Sequence, residues 1–324
     1  MKKYGGSIAL FVLLVAACAP GQSWNEFRLV PATVDENPLL PSVTIHVAGY
    51  DRKVHFLTFG NPSLPPLFIL HGSLSDMRPY LPLTVLSNEY YCVMWDLRGN
   101  GLSERVGKSE LSYASMVEEI KAMKELFAPT NQIAIMGHSW SAVFVAMYVG
   151  KYHADVSQAI LMEPIGLQSD PMNDMESVLN LATSAYLDMS YSSDILSPST
   201  HELLDFKMLA MIKSAVRNFF VDKNNLPPWP VWRVGGLALI VWETECLSGG
   251  KFSYDFTSGL DTFPGSVLLI GSDHSPIGYD FQLKYNKTFF SNANVLVIPN
   301  SGHRIVTENF QALYEGLTNF LIEF

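Results

Sequence analysis

The chain has 324 residues, 48% of them hydrophobic and 16% charged, with a formal net charge of −10. That is enough apolar material for one large α/β domain with an insertion, or for two domains, and an acidic balance without any basic stripe argues against nucleic acid as a partner. No internal repeat or low-complexity segment is present.

At the N-terminus, "MKKYGGSIALFVLLVAACAPG" places Lys2 and Lys3 ahead of an apolar run from Ile8 to Ala17. The run is too short to span a bilayer comfortably, and the pattern is that of an export leader over residues 1–17. Val15-Ala16-Ala17-Cys18 resembles a bacterial lipobox, which implies lipidation of Cys18 as the mature N-terminus and attachment to a membrane on the periplasmic side. Ala19, where an aspartate would signal retention at the inner membrane, points to the outer membrane. An ordinary signal peptide cut nearby is the alternative.

From residue 43, "VTIHVAGY" and "RKVHFLTFG" read as a hairpin by alternation around a Gly-Tyr-Asp turn. Short apolar runs then alternate with helical stretches. "PLFIL" (66–70) is a strand, 77–88 a helix, "YYCVMWD" (90–96) a strand and 113–127 an amphipathic helix. "QIAIMG" is a strand, "AVFVAMYVGKYH" a helix and "VSQAILME" (156–163) a strand. Buried strands separated by helices predict a mostly parallel sheet covered on both faces. Residues 165–262 break this rhythm with helical patterns ("MESVLNLATSAYLDM", "LLDFKMLAMIKSAVRNFF") and the turn-rich "NNLPPWPVW". Strands return at "GSVLLIGSD" (265–273) and "NVLVIPNSGH" (294–303), and a final helix closes the chain. The organisation expected is therefore a core over 18–164 and 263–324, interrupted by a helical cap over 165–262. Cys92 and Cys246 lie in unlike segments and are expected as separate buried thiols. The eight histidines lack ligand spacing, so no metal is expected, nor any other cofactor.

Chemistry concentrates at strand ends. "IMGHSWSA" runs from an apolar strand through Gly137 to Ser139 and straight into a helix, the pattern of a nucleophile elbow. A serine hydroxyl needs a base in reach, and His303 in "NSGHR" suits that work near neutral pH. Asp273 in "GSDHSP" is the expected acid that would orient the imidazole, with Asp280 the remote alternative. The chain order Ser139, Asp273, His303 is that expected of an α/β-hydrolase sheet. His71-Gly72 follows the strand "PLFIL", so the N–H groups of Ser73 and Trp140 are the expected oxyanion donors.

"HGS", "WDLRGNGLSE", "GHSW" and "SGH" together resemble the α/β-hydrolase superfamily across essentially the whole mature chain, and more narrowly the proline iminopeptidase group. That group's D-x-R-G-x-G-x-S motif is matched by Asp96, Arg98, Gly99, Gly101 and Ser103, and Trp140 fits its tryptophan after the nucleophile. The resemblance implies that Glu243, in the pair Trp242-Glu243, holds a substrate's free amino end. The chain departs from the group at His71-Gly72-Ser73-Leu74-Ser75, where H-G-G-P-G is usual, and at Ser141 for the elbow's second glycine. His274 stands where the group's triad aspartate is usual, and a second cap glutamate has no counterpart. The leading expectation is a serine hydrolase acting through an acyl-enzyme on small peptides or amides. An esterase or lactonase on small acyl esters is the alternative, and a lipid-anchored binding protein without turnover comes third. Chemistry that requires an aspartate nucleophile is excluded by Ser139. The residues carry no indication of oligomeric state.

Overall fold

The computed structural model describes residues 30–175, 201–215, 217–226 and 229–321. The leader, Cys18 and residues 176–189 of the first cap pattern lie outside the described residues. Among the described residues, no helix is long and apolar enough to cross a membrane.

Eight strands form one sheet in the order β1 (Ser42–Val47), β2 (Tyr50–Phe59), β4 (Tyr91–Trp95), β3 (Pro66–Leu70), β5 (Ile133–His138), β6 (Val156–Met162), β9 (Ser266–Ser272) and β10 (Ala293–Ile298). The pairs β1–β2 and β2–β4 are antiparallel, and every other neighbouring pair is parallel. Strands β3 and β4 are buried at every residue, and alternate residues serve opposite faces. Phe68, Leu70, Val93 and Trp95 join one core, while Leu67, Ile69, Cys92 and Met94 join the other. Continuous apolar runs are therefore what two covered faces require.

Helix α1 (Tyr113–Phe127) begins where Ser112 accepts the Ser115 N–H, and it buries Met116, Ile120 and Met123 on one stripe. Helix α2 (Trp140–Lys151) is buried almost all round beneath the same face. The C-terminal helix (Phe310–Leu321) covers the other face with Leu313, Leu317 and Phe320. The expected helix over 77–88 is instead a 3₁₀ run, Arg78–Asn88. Pro82 lies inside it and has no N–H to donate, so a regular α-helical ladder cannot form there.

Described parts of the cap are a helix over His201–Ala215, a helix over Gly236–Glu245 and a small hairpin of β7 (Leu247–Ser248) and β8 (Lys251–Phe252). The two helices touch where Gly236 N–H donates to Asp205 Oδ1 at 2.6 Å. Two buried carboxylates organise the place where the segment before the second cap helix meets the core. Fully buried Asp76 accepts the N–H groups of Trp232 and Arg233. Asp96 accepts the N–H groups of Met77 and Leu102 and the His55 Nδ1–H, at 2.8–2.9 Å. The motif Asp96, Arg98, Gly101, Ser103 thus builds the turn whose Gly101 N–H meets the Arg233 carbonyl at 3.1 Å. Arg98 is buried with its Nε 2.7 Å from Glu119 Oε2. The motif's work is structural: it seats the cap.

Candidate active site

The carboxyl ends of β3, β5, β6, β9 and β10 lie side by side, as open α/β sheets place their sites. Ser139 follows β5 with φ 57° and ψ −121°, a conformation L-residues seldom adopt. Among the described residues, five that are not glycine carry positive φ: Ala48, Leu74, Ser139, Glu163 and Asn300. Leu74 and Ser139 line one cavity and Glu163 holds His303 at its edge, so the strain gathers at the site. Surrounding bonds hold the elbow in place. Ser139 N–H donates to the Met162 carbonyl at 2.9 Å, and Ser141 Oγ accepts the His138 N–H at 3.0 Å. Gly137 is required, since a Cβ there would lie 2.6 Å from the Ser141 carbonyl oxygen.

His303 lines the same cavity as Ser139. Its Nδ1–H donates to Glu163 Oε2 at 2.5 Å, which leaves Nε2 for the serine. Glu163 is fully buried one residue past β6, and its Oε1 also accepts the Ser272 N–H at 2.7 Å and the Ser272 hydroxyl. The expectation for Asp273 is corrected here. Its carboxylate accepts His274 Nδ1–H at 2.6 Å and the N–H groups of Ser301 and Asn300, and it does not reach His303. Burial pulls its pKa up, but the bonds from His274, Ser301 and Asn300 outweigh that and hold it below the usual range. Asp273 therefore ties down the loop that carries His303. Asp280 is exposed in the turn Tyr279–Phe281. Glu163 was open to detection as a carboxylate that directly follows the apolar run Ala159–Met162 of the strand beside the elbow strand.

Ser73 and Trp140 both line the cavity, and among the described residues neither N–H is engaged in a hydrogen bond. The Gly72–Ser73 peptide is held by His71. Its Nε2 accepts the Leu97 N–H at 3.0 Å, so its Nδ1–H donates to the Gly72 carbonyl at 2.8 Å. Burial lowers the His71 pKa, which keeps the ring neutral as that pattern needs. In a trans peptide the C=O and N–H point opposite ways, so pinning the Gly72 oxygen aims the Ser73 N–H. The Trp140 indole N–H donates to Tyr113 Oη at 2.7 Å.

The cavity encloses about 190 Å³. Its wall is largely apolar, including Ile165, Phe219, Trp229, Val234 and Leu239, with Glu243 and Arg304 among the charged lining. Glu243 is 3% exposed, its Oε2 has no hydrogen-bond partner, and burial pushes its pKa up to about 8. Trp242 faces away, donating its indole N–H to Leu111 O and packing on Phe144. Cys92 and Cys246 are separate and buried. Among the described residues, no cluster of His, Cys, Asp or Glu suits a metal ion.

A family model described as the alpha/beta hydrolase fold matches residues 65–310. The chain belongs to the α/β-hydrolase family. A human serine hydrolase-like protein is 29% identical to this chain over 123 residues, 36% of this chain and 59% of its own length. The matched region spans about three-fifths of that relative. An esterase from Thermogutta terrifontis superposes with a TM-score of 0.61 at 18% identity, covering 87% of this chain and 98% of its own. A bromoperoxidase from Bacillus anthracis reaches 0.68 at 16% identity, with 87% and 99% covered. At these identities the two structures show the shared fold alone.

Proposed function

We propose that this hydrolase is a serine hydrolase that works through an acyl-enzyme, with Ser139 as nucleophile, His303 as base and Glu163 as the orienting acid. One observation carries the reading: a buried carboxylate holds His303 Nδ1 beside a cavity into which a strained elbow lifts Ser139. Ser139 Oγ attacks the substrate carbonyl carbon while its proton passes to His303 Nε2. The oxyanion is met by the Ser73 and Trp140 N–H groups, and Glu163 stabilises the imidazolium. His303 then returns the proton to the leaving group, and water repeats the sequence to free the acid. No bond joins Ser139 to His303 among the described contacts, and catalytic bonds of this kind commonly tighten only around substrate.

The finer reading is an aminopeptidase of the proline iminopeptidase kind. A buried carboxylate without a partner is costly, and a substrate ammonium would relieve Glu243 of that cost. The apolar wall elsewhere favours the second reading, an esterase or lactonase on small uncharged acyl groups. Ser139→Ala should remove turnover and fluorophosphonate labelling, a loss of several powers of ten as triad deletions commonly give. Failure of the wild type to label would leave a binding protein without turnover. Glu243→Gln should cut turnover of aminoacyl arylamides by roughly one to two powers of ten and spare simple acetate esters. N-acetylating the arylamide should mimic the mutation. Loss on neither substrate would favour the esterase reading. We further propose export and lipid anchoring at Cys18, supported by the leader pattern.

A further inference from the structure

Three loops of the site meet at an imidazole that the proposed reaction does not touch. His138 is 3% exposed, directly before the nucleophile. Its Nε2 lies 2.9 Å from the His303 backbone carbonyl, which can only accept, so Nε2 bears the proton. Its Nδ1 lies 2.5 Å from Tyr80 Oη, and that oxygen also accepts the Gly72 N–H at 3.0 Å. Burial first, then the neighbouring His303, hold the His138 pKa well below the usual value. The titratable groups around it are Tyr80, His71, His303 and Arg304. A neutral ring with Nε2 protonated offers Nδ1 only as an acceptor, so the Tyr80 O–H must donate. Every proton in the chain therefore has one direction: Gly72 N–H to Tyr80, Tyr80 O–H to His138, His138 Nε2–H to the His303 carbonyl. Trp229 of the cap stands edge-on against Tyr80 at 5.8 Å and closes the chain from above.

We propose that Tyr80 and His138 are positioning residues that fix the distance between the oxyanion loop at Gly72–Ser73 and the base loop at His303. The elbow is the fixed point, since its backbone is held by β5 and β6. The chain ties a loop from each side to it. This rests on the serine-hydrolase reading for its kinetic part and on geometry alone for the tautomer.

Two measurements on the intact protein test it. Nitrogen-15 NMR of the histidines should show His138 as a neutral Nε2–H tautomer with unprotonated Nδ1, unchanged between about pH 5 and 8, where an unperturbed imidazole changes charge. An Nδ1–H tautomer, or titration of His138 within that range, would overturn the proposal whether or not the protein turns over substrate. Kinetically, Tyr80→Phe keeps the ring but loses both of the hydroxyl's hydrogen bonds and should lower kcat about tenfold or more, with KM within twofold. His138→Gln keeps an N–H for the His303 carbonyl and should outperform His138→Leu by about tenfold in kcat on the same conversion. A merely structural role would move KM with kcat or leave Gln and Leu equal, and either result would sink the idea. If the wild type failed to label with fluorophosphonate, the hydrolase reading would fall while the tautomer result still judged the chain.

Discussion

Glu163 and Asp273 each stand one residue past the end of neighbouring strands, β6 and β9, yet only Glu163 meets His303. Sequence order favours Asp273, because acid loops after either strand look alike until side-chain direction is known. What separates them is the ring each carboxylate meets: Glu163 takes His303 Nδ1–H, while Asp273 takes His274 Nδ1–H and the Asn300 and Ser301 N–H groups of the same loop. Glu163→Gln should therefore lower kcat by on the order of 10³-fold or more through a mis-set imidazole tautomer. Asp273→Asn loosens only the loop and should cost less than about tenfold, the scale of a hydrogen bond; the ratio of the two kcat losses is the check. Glu243 makes a different prediction. The unfolded chain loses this proton near pH 4.3, whereas the folded protein holds it to about 8. The native state thus binds more protons between those values, and stability falls as pH rises through the window. Glu243→Gln removes that slope, so its melting temperature should exceed wild type at pH 9 and match it near pH 4. Equal offsets at both pH values would place the carboxylate in water.

Elements were legible where burial alone dictates them. Parallel strands covered on both faces must read as apolar runs, and Ser112 with the stripe Met116, Ile120, Met123 marks α1 at its observed start. The 3₁₀ run Arg78–Asn88 was not legible as such: its apolar spacing is helical, and Pro82 decides the winding. The D-x-R-G-x-G-x-S turn was visible as a motif, but its role in seating the cap depends on contacts from residues more than a hundred positions away. Its glycine can be tested against a simpler one. Gly101 has φ +49°, and an added Cβ would lie 2.1 Å from the Asp96 carboxyl carbon, whereas Gly250 has φ +76° with open space around it. Gly250→Ala should cost about 1–2 kcal/mol, the backbone strain alone. Gly101→Ala adds overpacking and displaces Asp96, for about 3 kcal/mol or more. Urea unfolding midpoints of the two variants give the comparison, and similar midpoints would mean the Asp96 turn yields without loss.

At the scale of the whole molecule, the proposed lipid anchor at Cys18 has a direct test. Cys18→Ser should shift the protein from the membrane fraction to the soluble one, or leave the leader uncleaved. Mass spectrometry that found an unmodified mature N-terminus elsewhere would end the anchoring proposal. The chain order of the site has a consequence of its own. Ser139 and Glu163 both precede the cap, while His303 comes near the C-terminus on the loop after β10, the edge strand of the sheet. Chains emerge from synthesis N-terminus first, so a nascent molecule holds Ser139 and Glu163 before His303. On the proposed reading, hydrolytic power then waits for the C-terminal strands to dock. If the proposed leader carries the chain across a membrane unfolded, that sequence of events would keep it inactive in transit.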